Sequence, residues 1–120
     1  MNLLNKNDFW QFACALYAKP GQQQTLLALQ NQQGKNVNLC LFLLYLDSLK
    51  LSINAEQLCA LIASINEFDT QALKPLRSTR KYLKANQESI SDYAKIRQEL
   101  LSAELKLEKQ QQQILIDTAN

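Results

Sequence analysis

The residues best suited to bind a charged partner lie in one segment of this 120-residue chain. Between positions 72 and 87 there are five basic residues and no acidic ones. In a helix that turns about 100° per residue, these cations form a stripe beside an apolar face. They are Lys74, Arg77, Arg80, Lys81 and Lys84. Arginine presents a planar fork of donors and lysine a mobile point charge, so this basic stripe could contact phosphates of an anionic polymer such as RNA.

The same stripe has a simpler interpretation as a solvated helix face. From position 88 onward the chain carries six acidic and four basic residues. The stripe could therefore pair with the acidic last segment instead of a separate molecule. The net charge of +2 is too small to favour nucleic acid or membrane as a partner for the whole molecule.

Three further polar residues surround the longest apolar run, residues 39–46. Asn38 precedes this run, Tyr45 lies within it and Asp47 follows it. A half-buried Asp47 could have a raised pKa and act as a base, and all three could anchor a small molecule in a pocket between helices. Alternatively, Asp47 faces solvent near Lys50, and Asn38 caps the helix that follows it.

Other chemistry is limited by the residue types present. The chain has no histidine, which excludes Ser-His and Cys-His nucleophilic pairs and imidazole-ligated zinc. Cys14, Cys40 and Cys59 have no metal-type spacing and are interpreted as reduced, buried thiols. We therefore expect no catalytic constellation, no metal and no cofactor, and we favour a non-enzymatic role.

The composition predicts a single all-α domain. Hydrophobic residues make up 47% of the chain and charged residues 20%, with only two glycines and two prolines. Few turn residues and many helix formers disfavour a β-sandwich or barrel. We expect one domain over residues 1–116 and a disordered tail over 117–120. The N-terminus lacks the pattern of a signal peptide, which favours a cytoplasmic protein.

Helical periodicity and end signals place the first helices. Asn7 or Asp8 can cap a first helix whose apolar face excludes Trp10, a residue suited to an interhelix gap or an interface. A second helix is predicted over 22–33, with Gly34 as its C-terminal cap. A Leu-rich third helix, 37–51, is apolar on nearly all sides and is expected at the centre of a compact five- to six-helix bundle.

The later helices carry further signals. Asn54 and Gln57 resemble a capping box that opens a fourth helix. A fifth helix is predicted over 70–85, where Pro75 either kinks it or marks its first turn. A long last helix begins near 89–92 and carries a heptad-like seam. The seam consists of Tyr93, Ile96, Leu100, Ala103, Leu107, Gln110 and Ile114. It could pack on the bundle or form a homodimer with a second copy.

Three parts of the chain resemble a known family of short proteobacterial proteins of unknown function. They are the FWQF segment at 9–12 with LYAKPG at 16–21, the NVNL segment at 36–39 leading into LFLL at 41–44, and PLR at 75–77 with Arg80. The resemblance covers about residues 8–85 and implies a helical fold in the cytoplasm of a bacterium. It implies no activity, cofactor or catalytic residue.

These observations predict a non-enzymatic interaction module that uses the basic stripe and the last helix. Its partner would be a protein or an anionic polymer. The alternative is a small-molecule binding protein or atypical enzyme with an interhelical pocket near Asp47.

Overall fold

The protein is a bundle of α-helices. The computed structural model describes residues 4–33 and 36–120, and no strand occurs among them. The helices are α1 (Lys6–Ala18), α2 (Gln22–Gln33), α3 (Val37–Ser48), α4 (Ala55–Phe68), α5 (Lys74–Ala85) and α6 (Tyr93–Ala119). The predicted all-α fold with a long C-terminal helix is confirmed.

Side-chain caps begin three of these helices. At α3 the cap is Asn36, whose side chain accepts a hydrogen bond from the Leu39 N–H at 2.9 Å, so the predicted cap Asn38 lies inside the helix. The Asn5 side chain accepts hydrogen bonds from the N–H groups of Asn7 and Asp8, at 2.8 and 3.2 Å. Asn5 is thus the cap of α1, two or three residues earlier than predicted, and Asn7 and Asp8 lie within the helix. At α4 the predicted capping box is present, with reciprocal bonds between Asn54 and Gln57. The predicted cap at Gly34 lies outside the described residues.

The segment before α5 shows how Pro75 is accommodated. A π-helical turn, Asp69–Leu73, continues α4, and α5 then begins at Lys74 with the proline in its first turn. Proline has no N–H to donate and its ring crowds the carbonyl four residues earlier, so the chain widens by one residue here. Of the two roles considered for Pro75, the structure therefore shows the second, a residue in the first turn of a helix.

The Leu-rich helix α3 is shorter than predicted and is buried on one side. It ends at Ser48 because Lys50 takes a left-handed conformation, with φ of 58°, and the Leu51 N–H returns to the Leu46 carbonyl at 3.0 Å. Leu44, on the side of α3 away from the core, is 45% exposed.

The core joins α1, α3, α4 and the end of α6. Phe9 packs at 5.2 Å from the rings of both Phe42 and Tyr45, edge-on to the first and stacked on the second. Leu61 of α4 and Leu115 of α6 close the same cluster. The second half of α6 therefore lies inside the bundle.

Helix α6 contacts α1, α3, α4 and α5, but through a different face from the predicted seam. Most seam residues are half-buried, and Gln110 is exposed. The residues buried deepest are Glu104, Gln111, Gln112, Leu115 and Ile116. Three of these five are polar, so hydrophobic spacing alone could not identify the buried face.

The last residues of the chain, 117–120, lie at the end of α6. Helix α6 continues through Ala119. The Thr118 hydroxyl donates to the Ile114 carbonyl at 2.8 Å, and the Asn120 side chain donates to the Leu4 carbonyl at 3.1 Å. Packing of Leu115 and Ile116 in the core holds the preceding turn in place.

Candidate ligand-binding cavity

Two arginines of the basic stripe form ion pairs with α6. Arg80 binds Glu104 through two hydrogen bonds, from Nε to Oε2 at 2.6 Å and from Nη2 to Oε1 at 3.2 Å. The Glu104 side chain is only 7% exposed. A planar guanidinium that meets a buried carboxylate in this way supplies both charge and geometry. Arg80 is therefore committed to the fold.

Arg77 is shared between two carboxylates. Its Nη2 lies 3.4 Å from Glu108 Oε1, and its Nη1 lies 3.8 Å from Asp69 Oδ1. Lys74 also approaches Asp69, at 3.8 Å, from the surface. We call Arg77, Arg80 and these three acidic residues the arginine cluster.

The remaining members of the stripe are exposed. Lys81 and Lys84 lie at the surface and form no ion pair within residues 4–33 and 36–120. The structure therefore divides the predicted stripe into a paired part and a free part. Arg77 and Arg80 therefore agree with the alternative interpretation, in which the stripe pairs with the last helix.

A polar network continues from the arginine cluster into the bundle. Gln111 Oε1 accepts from Asn38 Nδ2 at 2.9 Å, and Gln111 Nε2 donates to Asp69 Oδ1 at 3.4 Å. Gln112 Nε2 donates to Asn38 Oδ1 at 3.1 Å. Gln111 is 1% exposed, so each of these bonds satisfies a group that water does not reach.

One buried acceptor beside this network has no partner. Gln112 Oε1 is buried and accepts no hydrogen bond from the described residues. An unpaired polar atom inside a protein costs free energy, and such sites are often completed by a bound molecule or water.

Next to these residues an open cavity of about 250 Å³ lies between the helices. Its apolar wall comes from α1, α3 and α6, and its polar wall from the arginine cluster and the polar network. The lining residues are Trp10, Ala13, Cys14, Tyr17, Gln30, Val37, Asn38, Leu41, Arg77, Leu105, Glu108 and Gln112. An apolar cleft with a few convergent polar groups is the usual form of a small-molecule site. We call it the interhelical cavity.

Burial changes the acid–base properties of two lining residues. The pKa of Glu108 is raised above its usual value mainly because burial disfavours the charged form, while Arg77 acts in the opposite direction. The pKa of Tyr17 is raised by burial first and by the negative charge of Glu108 second. Both groups therefore favour their protonated forms more than they would in water.

The three predicted pocket anchors separate in the structure. Asn38 lines the interhelical cavity and also holds the two glutamines of the polar network. The Tyr45 ring stacks in the aromatic core, and Asp47 is exposed near the end of α3. The cavity thus lies away from Asp47, toward the side of α3 that faces α6.

The cysteines also differ from expectation. All three are free, but Cys14 and Cys59 are exposed and Cys40 is half-buried, so the prediction of buried thiols is wrong. Among the described residues, no group of three or more histidine, cysteine or acidic side chains could hold a metal ion. In the same part of the chain, no helix combines the length and apolar character of a membrane span.

A family model described as "Protein of unknown function (DUF2390)" matches residues 8–115. The chain belongs to this family. The match extends from α1 to near the end of α6, beyond residues 8–85 that carried the resemblance. No curated protein and no solved structure matches the chain.

The DUF2390 match includes the whole interhelical cavity. Every lining residue, from Trp10 to Gln112, lies between 8 and 115. The residues that sequence reasoning missed are chiefly Tyr17, Glu108 and Gln112. Their polar groups meet only because α1 and α6 are adjacent in space, and the one local sign was a run of four glutamines, 110–113, inside a helical segment.

Proposed function

We propose that this DUF2390 protein binds a small molecule in the interhelical cavity. The observation that carries the proposal is the arrangement of this cavity: an apolar wall facing Arg77, Glu108 and Asn38. A buried, unpartnered acceptor, Gln112 Oε1, belongs to a residue of the same wall. The proposal retains the interhelical pocket predicted from the sequence, but the pocket lies away from Asp47.

The charges around the cavity indicate which ligands fit it. Arg77 faces two carboxylates, those of Asp69 and Glu108, so its positive charge is already compensated. Among the described residues, the buried side-chain polar atom that has no hydrogen-bond partner is Gln112 Oε1, which is an acceptor. A neutral or cationic ligand with an apolar body and a donor group is favoured over an anion.

Binding is better supported than catalysis. Glu108 is hydrogen-bonded to Arg77 rather than to a nucleophile. A general base must lie within hydrogen-bond reach of the group it activates. The atypical enzyme considered from the sequence therefore ranks below a binding protein.

An NMR fragment screen tests this proposal. Neutral, cationic and anionic compounds with similar apolar bodies would be titrated while the indole signal of Trp10, the sole tryptophan, is followed. Leu105→Phe places extra volume at the cavity, where Leu105 is 47% exposed and therefore free to change without disturbing the core. Leu44→Phe is the matched control, because Leu44 is equally exposed but does not line the cavity.

We expect neutral or cationic fragments to shift the Trp10 signal. Leu105→Phe should weaken their binding at least several-fold more than Leu44→Phe does. Anionic fragments that bind more tightly than the others, and whose binding Leu105→Phe weakens, would contradict the proposed ligand chemistry. Failure of every fragment, or equal binding to both variants, would exclude the cavity as a binding site.

A second candidate is the interaction module predicted from the sequence. It is favoured by the free part of the basic stripe, Lys81 and Lys84, and by Tyr82 of the same helix, an aromatic residue that is 67% exposed. Exposed cations and an exposed aromatic ring on one helix are groups that can contact an RNA strand. Unlike the predicted surface, this one does not depend on Arg77 or Arg80.

Binding to RNA would be measured with labelled single strands at increasing salt. A steep loss of affinity with salt, and a further loss in Lys81→Glu with Lys84→Glu, would support this surface. A salt-insensitive complex would refute an anionic polymer. A pull-down from native lysate with and without nuclease would then separate RNA from a protein partner, since only RNA-dependent partners are lost after nuclease.

Two further expectations stay proposals. A homodimer through α6 would use the half-buried residues Ile96 and Leu100, and light scattering at several protein concentrations would detect it. We also propose that the protein acts in the bacterial cytoplasm, as the resemblance implies, which cell fractionation would test.

A further inference from the structure

A second concave site shares Trp10 and Gln112 with the interhelical cavity, but all the charged residues that line it are positive. It occupies about 260 Å³ between α1 and α6. Its lining residues are Lys6, Asn7, Trp10, Lys106, Lys109, Gln110, Gln112 and Gln113. We call it the lysine pocket. From its geometry and charge we infer that it binds a phosphate-type anion, a role independent of the ligand proposed for the interhelical cavity.

The spacing of the residues makes this pocket a joint product of two helices. On α6, positions 106, 109, 110 and 113 follow the three- and four-residue steps that share one helix face. On α1, positions 6 and 10 are one turn apart. The two faces meet because α1 packs against α6.

The charges in the lysine pocket are uncompensated. Among the described residues that line it, three are lysines and none is acidic. None of these lysines forms an ion pair within the described part of the chain. Three like charges around one cavity repel one another, and a bound anion would relieve that repulsion.

The other groups of the pocket suit an anion with several oxygen atoms. Asn7 and Gln110 have side-chain amides that can donate hydrogen bonds, while the Gln113 amide already donates to Asp117 Oδ1 at 2.7 Å. Lys6 and Asn7 lie in the first turn of α1, where the charge of Asp8 opposes the positive end of the helix dipole, so the positive charge of the pocket comes from its lysines. Asp117 is not among the lining residues.

The charge count favours a doubly or more highly charged anion over a carboxylate. A phosphate monoester carries nearly two negative charges at neutral pH and offers three acceptor oxygens. Three mobile ammonium groups can surround such a group from different sides. The class of ligand is therefore a phosphomonoester or diphosphate.

Trp10 reports occupancy of the lysine pocket, and the lysine substitutions below distinguish it from occupancy of the interhelical cavity, which Trp10 also lines. The Lys109 ammonium lies 4.5 Å from the centre of the Trp10 ring, in a cation–π contact. An anion that draws Lys109 away from the ring would change the emission of the only tryptophan in the chain.

The test is a titration of the full chain with inorganic diphosphate, followed by Trp10 fluorescence and by calorimetry. We expect saturable binding that weakens several-fold between about 50 and about 200 mM salt. Lys106→Gln with Lys109→Gln should weaken it about tenfold or more, because two of three exposed charge contacts are lost. The matched control is Lys19→Gln with Lys95→Gln, which removes the same charge from exposed positions outside the pocket and should leave binding within twofold.

Two results would overturn the inference: no saturable binding of diphosphate, or equal weakening by both pairs of substitutions. Equal weakening would mean that net charge, rather than the pocket, attracts the anion. Thermal unfolding of each variant checks that it stays folded. Sedimentation with mixed phosphatidylcholine and phosphatidic acid vesicles identifies the source of the phosphate group. Co-sedimentation that diphosphate abolishes would assign the pocket to a lipid headgroup. Binding of diphosphate without co-sedimentation would assign it to a soluble phosphate.

Discussion

Two cationic regions of this protein have opposite relationships to the rest of the fold. In the arginine cluster, Arg77 and Arg80 meet carboxylates of α6 and of the turn before α5. In the lysine pocket, Lys6, Lys106 and Lys109 meet no carboxylate among the described residues. The arginines, which belong to the basic segment that is evident in the sequence, are thus neutralised by carboxylates. The three lysines of the pocket, which are dispersed along the sequence, have no paired carboxylate in the described structure.

The difference follows from burial. Removing a charge from water is costly, so a buried arginine needs a buried counter-charge at hydrogen-bonding distance. An exposed lysine keeps most of its hydration and needs no partner. Paired charges stabilise one arrangement of helices, and free charges stay available to a ligand.

The largest expected effect comes from breaking the pair between Arg80 and Glu104. Glu104→Ala would leave Arg80 partly buried without its counter-charge, and we expect a loss of roughly 3 kcal/mol in the free energy of unfolding. Urea unfolding measures it. Glu99→Ala, at an exposed position on the same helix, is the control and should change stability by less than about 0.5 kcal/mol. Equal effects of the two substitutions would mean that the pair does not hold α5 to α6.

A smaller loss is expected at the neighbouring polar network. Gln111→Ala would remove the partner of both Asn38 and Asp69, and we expect a loss of about 2 kcal/mol. Gln110→Ala tests whether position or residue type matters, since Gln110 is adjacent but exposed. A Gln111 variant as stable as the Gln110 variant would show that the network contributes nothing to the fold.

The raised pKa of Glu108 predicts a pH dependence of stability. Because burial raises this pKa in the folded state, the folded protein holds a proton that the unfolded chain releases from about pH 4.5 upward. The contribution of Glu108 to stability is therefore full below that pH and is lost as the pH rises through the folded-state pKa. Relative to the native chain, Glu108→Gln should gain stability across this window, measured by urea unfolding at several pH values. A difference that stays constant with pH, or moves the other way, would contradict the stated effect of burial.

The smallest effect is expected from the free part of the basic stripe. Lys81→Glu with Lys84→Glu should change the free energy of unfolding by less than about 0.5 kcal/mol per substitution, because both side chains are exposed and unpaired in the described structure. The same unfolding measurement applies. A loss as large as that of Glu104→Ala would remove the contrast between paired and free cations on α5.

Much of the fold was accessible from local signals. The capping box at Asn54 and Gln57 depends on neighbours within a few positions, and the structure confirms it. For Pro75 the sequence left two roles open, and the structure shows the first-turn role. Helix α3 ends three residues before its predicted end, because a left-handed Lys50 terminates it and no glycine marks that position. The buried face of α6 differs from the predicted seam because its polar residues are buried by pairing rather than by hydrophobicity.

The site depended on contacts that no local pattern contains. Arg80 and Glu104 are 24 positions apart, and Asn38 and Gln111 are 73 positions apart. Of the proposed pocket anchors, Asn38 lines the interhelical cavity, while Tyr45 and Asp47 lie elsewhere on α3. The helix period separates side chains of one helix onto different faces, but it does not say which face meets which neighbour.

The sequence by itself determined the helical class, most helix positions and the presence of a concentrated basic segment, since propensity, caps and charge counts are properties of short stretches of chain. Tertiary structure alone decided which of those charges are neutralised, which glutamines are buried and where the cavities form. The physical reason is that a charge or an amide is stabilised by the group placed against it in space. That group is supplied by the packing of α6 against α1, α3 and α5.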